Sequence, residues 1–236
     1  MSIFSHIVRF FQGGGLMMYP IAFVLVVGLS IAIERWLYLT ATAVRNRGLW
    51  NQISPVLAQG NFRQAVQMTS KSSAAIGQIL SYGLARIGSA RRRDDIEKAM
   101  EESLMDIVPR LEKRTHYIAT LANIATLLGL LGTIVGLINA FAAVATVNPA
   151  EKANLLSASI SVAMNCTAFG LMTAVPLLII HAVLQTKTTE LIDSLEMASV
   201  KFLNAVTERA LHERPMAAER AAAAAQPAQV AAQARA

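Results

Sequence analysis

The sequence predicts an all-α integral membrane protein with three transmembrane helices and long helical extensions on the cytoplasmic side. The chain of 236 residues is 54% hydrophobic and only 15% charged, which is too apolar for an ordinary soluble domain. Residues 115–186 carry just two charged side chains, the adjacent Glu151 and Lys152. The apolar run on each side of that pair exceeds the ~20 residues needed to cross a hydrocarbon layer of about 30 Å.

The first span is predicted over residues 16–39, after a periplasmic N-terminal segment, residues 1–15. Tyr19 stands at one end of this span and Trp36 and Tyr38 at the other, as in the aromatic belts of spanning helices. A cleaved signal peptide is the alternative. It is disfavoured because the apolar core is too long and basic residues follow it.

The orientation follows from the distribution of positive charge. Residues 42–115 form a polar insertion with twelve Lys/Arg and seven Asp/Glu, and the part after residue 185 carries six further Lys/Arg with six Asp/Glu. Positive charge accumulates on the cytoplasmic side, so we expect the N-terminus outside and the C-terminus inside. Within the insertion, the apolar spacing of residues 94–114 predicts an amphipathic helix that runs nearly continuously into the second span through His116.

The remaining boundaries follow from the apolar runs and from composition. They are the second span at 116–147, a periplasmic turn at 148–154, the third span at 155–185, a cytoplasmic helix at 186–214 and a disordered, alanine-rich tail at 215–236.

The second and third spans carry small and hydroxyl residues that predict an ion pathway. The pathway candidates are Thr126, Thr133, Ser161, Asn165 and Thr167, because buried polar groups at membrane depth need polar partners. The candidates for close helix packing are Gly129, Gly132, Gly136, Gly170, Ala174 and Pro176. Two purely structural alternatives stay open: the glycines form a simple helix dimer, and Asn165 joins neighbouring helices.

The remaining polar and charged residues give weaker indications of function. A single histidine near a membrane interface, such as His116 or His181, is usually structural, and a proton-shuttle role for His181 is the minor alternative. Cys166 is predicted to be a small hydrophobe. Arg91-Arg92-Arg93 before Asp94-Asp95 fits a helix start, with docking of a partner or lipid left open.

The sequence contains no nucleophile–base pair, metal cluster or phosphate loop. We therefore expect no enzyme activity, no cofactor and no nucleic-acid partner.

The chain resembles the ExbB/TolQ/MotA family of ion-driven motor subunits, most closely its ExbB/TolQ branch. The resemblance covers most of residues 13–200. It rests on Gly13-Gly14 with Met18-Tyr19-Pro20, on Glu34-Arg35, on residues 127–138, and on residues 167–171 with 174–176. Val162 stands where many of these proteins carry a glutamate, and Thr126 stands where a proline is frequent.

The resemblance implies a bacterial inner-membrane ring, generally of five subunits, whose second and third spans line a pore. Thr133 and Thr167 match the two pore-facing threonines of the family. The implied partner is an ExbD/TolR-like single-span protein with an intramembrane aspartate, with a TonB/TolA-like protein as a further partner. The implied function is conversion of proton-motive force into force on the partner, for uptake, envelope maintenance, gliding or related transport. A sodium-driven homologue and a non-conducting oligomeric scaffold remain as alternatives.

Overall fold

The computed structural model describes residues 11, 13–87, 93–145 and 147–233, with side chains through Glu208. Within these residues every regular element is a helix, which confirms the all-α class. Stretches long and apolar enough to cross a membrane lie within Met18–Ala58, Arg93–Ala145 and Lys152–Glu208. The helices are α1 (Met18–Ala58), α2 (Phe62–Ser70), α3 (Ala75–Ile87), α4 (Arg93–Glu112), α5 (Thr115–Ala145) and α6 (Lys152–Gln233).

The first of two compact units comprises Met1–Leu39 and Glu112–Thr189. It contains α5 and the beginnings of α1 and α6. Its buried face is marked by small residues rather than by polarity, as expected where the opposite face meets lipid. The buried small residues include Ala122, Ala125, Ala163 and Ala174, whereas Leu127 and Phe141 are more than 60% exposed.

The second unit comprises Thr40–Leu111 and Glu190–Ala236. Its core is apolar, with Ile53, Leu80 and Phe202 fully buried. One side-chain contact orders the start of α3, because the Asn46 Oδ1 accepts a hydrogen bond from the Ile76 amide at 3.3 Å. Such a bond satisfies one of the free amides in the first turn of a helix. Arg91 and Arg92 of the basic run lie outside the described residues.

Two helices run further than the boundaries predicted from composition. The helix of the first span continues to Ala58, because the loss of apolar character at residue 39 marks the edge of the membrane and not the end of a helix. α6 continues to Gln233, whereas the sequence predicted a disordered tail over residues 215–236. Alanine has the highest helix propensity of all residues, so an alanine-rich segment extends a helix that is already formed.

The helix predicted from residue 94 runs nearly continuously into the second span, with one short break. α4 ends at Glu112 and α5 begins at Thr115. Between them, the backbone of Arg114 has a φ of 68°, which is the left-handed region that often ends a helix. The Arg114 Nη1 also lies 2.8 Å from the Glu34 Oε1. The residue type does not indicate this break, because arginine is a good helix former.

We expect Arg114→Gly to be more stable than Arg114→Ala. Both variants lose the ion pair with Glu34, which is about half exposed on each side and is therefore worth less than about 1 kcal/mol. Alanine still places a Cβ at positive φ, which costs roughly 1 kcal/mol, whereas glycine has no Cβ. Thermal unfolding of the two purified variants in one detergent measures the difference. Equal midpoints would contradict the left-handed backbone at Arg114.

Candidate functional site

The second and third spans meet backbone to backbone at a row of small residues. A Cβ built on Gly129 would lie 3.2 Å from the Gly170 Cα and 3.3 Å from the Thr167 Cα. A Cβ built on Gly170 would lie 2.8 Å from the Ala125 carbonyl oxygen. Glycine at these positions lets the two helices approach closely, and the gain in dispersion contacts holds them together where lipid supplies no hydrophobic drive.

The same row continues toward the turn between the two spans. Gly132 faces the Cys166 side chain, and a Cβ built on Gly136 would lie 2.8 Å from the Ala163 Cβ. Cys166 is a free, buried thiol. The glycines therefore lie at a contact inside one chain, although their spacing alone also fitted a contact between two chains. Ala174 is buried on the same helix, and Pro176 is exposed within it.

Thr167 bridges the two spans. Its Oγ1 donates a hydrogen bond to the Gly129 carbonyl oxygen at 2.8 Å, and its side chain is half-buried. A carbonyl oxygen has two lone pairs, so Gly129 can accept this bond in addition to one from its own helix. The Thr167 hydroxyl thus sits at the edge of the closest helix contact, with its own lone pairs available to accept.

The other predicted pathway hydroxyls bond within their own helix or face outward. Thr133 donates to the Leu130 carbonyl at 2.6 Å and is half-buried, and Thr126 donates to the Ala122 carbonyl at 3.2 Å and is exposed. Ser161 is exposed. A threonine that donates to its own helix keeps its lone pairs free to accept from water or to bind a cation.

Asn165 lies against the segment that precedes α1. Its Nδ2 donates to the Gly13 carbonyl over a long 3.5 Å. Nearby, the Phe11 and Phe169 rings meet edge to face with centroids 5.8 Å apart. A Cβ built on Gly15, whose φ is 72°, would lie 3.3 Å from the Val162 Cγ1. The third span is therefore in contact with the N-terminal segment on the side of Asn165.

At the end of the spans away from residues 148–154, aromatic and charged side chains join the three helices. The Lys187 Nζ lies 3.4 Å from the centre of the Trp36 ring, a cation–π contact of about 0.5–1 kcal/mol at an exposed site. The ion pair between Arg114 and Glu34 lies in the same unit. These contacts link the end of the first span to the start of the second and to the end of the third.

Sequence reasoning assigned no site role to two further threonines. Thr173 and Thr115 are 1% and 5% exposed, and neither hydroxyl has a hydrogen-bond partner in the described part of the chain. A threonine in a helix usually donates to the carbonyl one turn back, so residue type alone could not identify these two as unpaired. In the same described residues, no group of three His, Cys, Asp or Glu side chains could hold a metal ion.

The chain belongs to the MotA/TolQ/ExbB proton channel family, whose sequence profile matches residues 71–197. The match covers just over half of the chain and includes all of α5 and the third span. The resemblance that the spans predicted is thereby confirmed. The family is one of proton channels and not of enzymes.

Two relatives carry the name ExbB. The chain is 25% identical to a biopolymer transport protein ExbB homologue of Methanothermobacter thermautotrophicus over 198 residues, which is 83% of this chain and 69% of the relative. It is 27% identical to the biopolymer transport protein exbB1 of Vibrio cholerae serotype O1 over 169 residues, which is 69% of this chain and 72% of the relative. With its three apolar helices, the chain is a multi-pass protein of the bacterial inner membrane.

Proposed function

We propose that the chain is a ring-forming stator subunit of an inner-membrane ion-driven motor. In this motor, α5 and the third span line a pore, and proton-motive force is converted into force on a partner protein. The observation that carries the proposal is the pair Thr133 and Thr167, two half-buried hydroxyls beside the contact between two charge-free helices. Relatives named for biopolymer transport support the same class of function.

The pore is formed between several copies of the chain. Within one copy, the backbones at Gly129 and Gly170 are too close for a water molecule to pass between them. The outer faces of the spans are apolar and exposed, with Leu127, Phe141 and Met164 each more than 60% exposed. Such faces are available to neighbouring copies and to lipid. Five copies is the number that the family resemblance implies.

The charged group in the pore comes from a partner. Residues 118–147 and 155–185 contain no Asp, Glu, Lys or Arg, so the chain offers threonine hydroxyls but no acid at membrane depth. An ExbD/TolR-like single-span protein supplies an aspartate there, and a TonB/TolA-like protein receives the force. Ser161, Asn165 and Thr126 flank the proposed pathway.

Two alternatives make different demands on the same residues. A sodium-driven motor needs several oxygens converging on the ion, and Thr133, Thr167 and Asn165 are the candidates that could supply them. A non-conducting oligomeric scaffold needs glycine-rich faces that are open to neighbouring copies, whereas Gly129, Gly136 and Gly170 already pack within one chain.

Ion flux through the purified complex distinguishes these functions. The complex, isolated with its partner from its own membranes, is reconstituted into liposomes and given a pH gradient or a membrane potential. We expect proton flux that is independent of sodium. Flux that requires sodium would favour the sodium motor, and an assembled complex without flux would favour the scaffold.

A further inference from the structure

A polar pocket lies at the end of the spans away from the 148–154 turn. It has a volume of about 210 Å³, which is room for several water molecules. We call it the end pocket; its lining includes Glu112, Thr115, His116, His181, Gln185 and Thr188. All of these residues belong to the first unit. The pocket thus gathers two imidazoles and a carboxylate beside helices that carry no Asp, Glu, Lys or Arg within the spans.

One hydroxyl in the end pocket needs an additional hydrogen-bond partner. Thr115 is 5% exposed, and its Oγ1 has no partner among the described residues. By contrast, the Thr188 Oγ1 donates to the Leu184 carbonyl at 2.9 Å. A buried hydroxyl without a bond costs about 1–3 kcal/mol. The Thr115 oxygen itself is closed to solvent, and it is the hydroxyl, imidazole and carboxylate groups of the lining that favour a hydrated site over a dry cavity.

The chemical groups that line the end pocket indicate which ligand the pocket binds. No described cluster of His, Cys, Asp and Glu is arranged to hold a metal ion. No Lys or Arg belongs to the described lining, and Glu112 would repel an anion. Imidazole is the side chain that ordinarily gains and loses a proton between about pH 5 and 8. Two imidazoles and one carboxylate around water therefore fit a proton better than any larger ligand.

The cationic side chains near the end pocket contact other groups, so the pocket still fits a proton better than a larger ligand. Arg114 is paired with Glu34, and Lys187 lies over the Trp36 ring. Arg35 of α1 is buried in the same unit and lies 4.9 Å from the centre of the Tyr38 ring. The carboxylate in the described lining is Glu112.

Three hydroxyls of α5 are spaced along one face between the end pocket and the proposed pathway. Thr126 and Thr133 follow Thr115 by eleven and eighteen residues. At 3.6 residues per turn these are three and five turns, so the three side chains lie on one face of α5 over about 27 Å. His181 likewise follows Thr167 by fourteen residues on α6, which is nearly four turns.

We propose that the end pocket is a water-filled proton-exchange site, in which His116 and His181 pass protons between the aqueous phase and the threonine-lined pathway. An imidazole accepts a proton from hydronium at one ring nitrogen, which breaks an O–H bond and forms an N–H bond. It releases the proton of the other ring nitrogen to water, which breaks that N–H bond and forms an O–H bond. The inference rests on the proposed function, and the expected orientation places the pocket on the cytoplasmic side.

Proton flux as a function of pH tests the proposal. The complex purified with its partner is reconstituted in liposomes, and flux is measured between pH 5.5 and 8 for wild type and for the double variant with His116→Gln and His181→Gln. We expect the double variant to lose roughly tenfold or more in flux and to lose its pH dependence. The matched control is His212→Gln, the same change well beyond the third span on the same helix.

The end pocket and the proposed function fail under different results. A conducting wild type together with an unaltered flux profile in the double variant would overturn the end pocket and leave the proposed function standing. A wild-type complex that conducts no protons would overturn both.

Discussion

Thr167→Val is expected to abolish ion flux while the protein still folds and assembles. Valine has nearly the same shape as threonine, so packing against Gly129 is retained. The substitution removes one hydrogen bond of 2.8 Å between the spans, and such bonds in membranes contribute roughly 0.6 kcal/mol on average. It also removes the lone pairs that the proposed pathway offers to a proton or to water. We therefore expect the ion flux to be lost while the stability of the protein changes little.

Two variants make the flux result specific. Thr167→Ser keeps the hydroxyl and should keep most of the flux. Thr186→Val removes an exposed hydroxyl from the same helix, one that donates to the Ala182 carbonyl at 3.1 Å, and should behave as wild type. Flux is measured in liposomes, and assembly by size-exclusion chromatography. Normal flux through Thr167→Val would remove Thr167 from the pathway.

Gly170→Ala is expected to destabilise the protein, whereas Gly48→Ala is expected to stabilise it. At Gly170 the new Cβ would lie 2.8 Å from the Ala125 oxygen and 3.0 Å from the Gly129 Cα, both backbone atoms that cannot rotate away. The helices must separate, and overpacking of this kind costs about 1–3 kcal/mol or more. At Gly48 nothing lies within 4 Å of the new Cβ. There the higher helix propensity of alanine contributes roughly 0.5–1 kcal/mol.

The opposite signs can be measured in one experiment. Thermal unfolding of the two variants and the wild type in the same detergent should place Gly170→Ala below and Gly48→Ala above the wild-type midpoint. Folded yield after extraction gives an independent measure for the first variant. If Gly170→Ala unfolded at the wild-type temperature, the close contact between α5 and the third span would not exist in the protein.

The three spans could be predicted from the sequence because crossing a membrane requires a length and an apolar composition that few other structures need. Helix ends were harder to predict. The first helix continues to Ala58 through Arg45 and Arg47, since a helix leaving a membrane changes its composition but not its backbone. The left-handed backbone of Arg114 has no sequence signature, because its φ is set by the surrounding fold.

The site could be predicted only in part, because its contacts join distant parts of the chain. Small residues predicted that α5 and the third span pack closely with something, but not that Gly129 meets Gly170 of the same chain. The Asn165 contact to Gly13 spans 152 residues. His116 and His181 each looked structural when considered alone. Their common pocket with Glu112 exists only once the helices are packed.

The glycine contact also has a mechanical consequence. Two helices whose backbones touch over several turns cannot slide or part without losing many contacts at once, since packed interfaces do not deform continuously. From Gly136 to Gly170, the second and third spans therefore behave as a single stiff strut. A force applied to one of the two helices is borne by both. Any elastic compliance has to lie outside this hairpin.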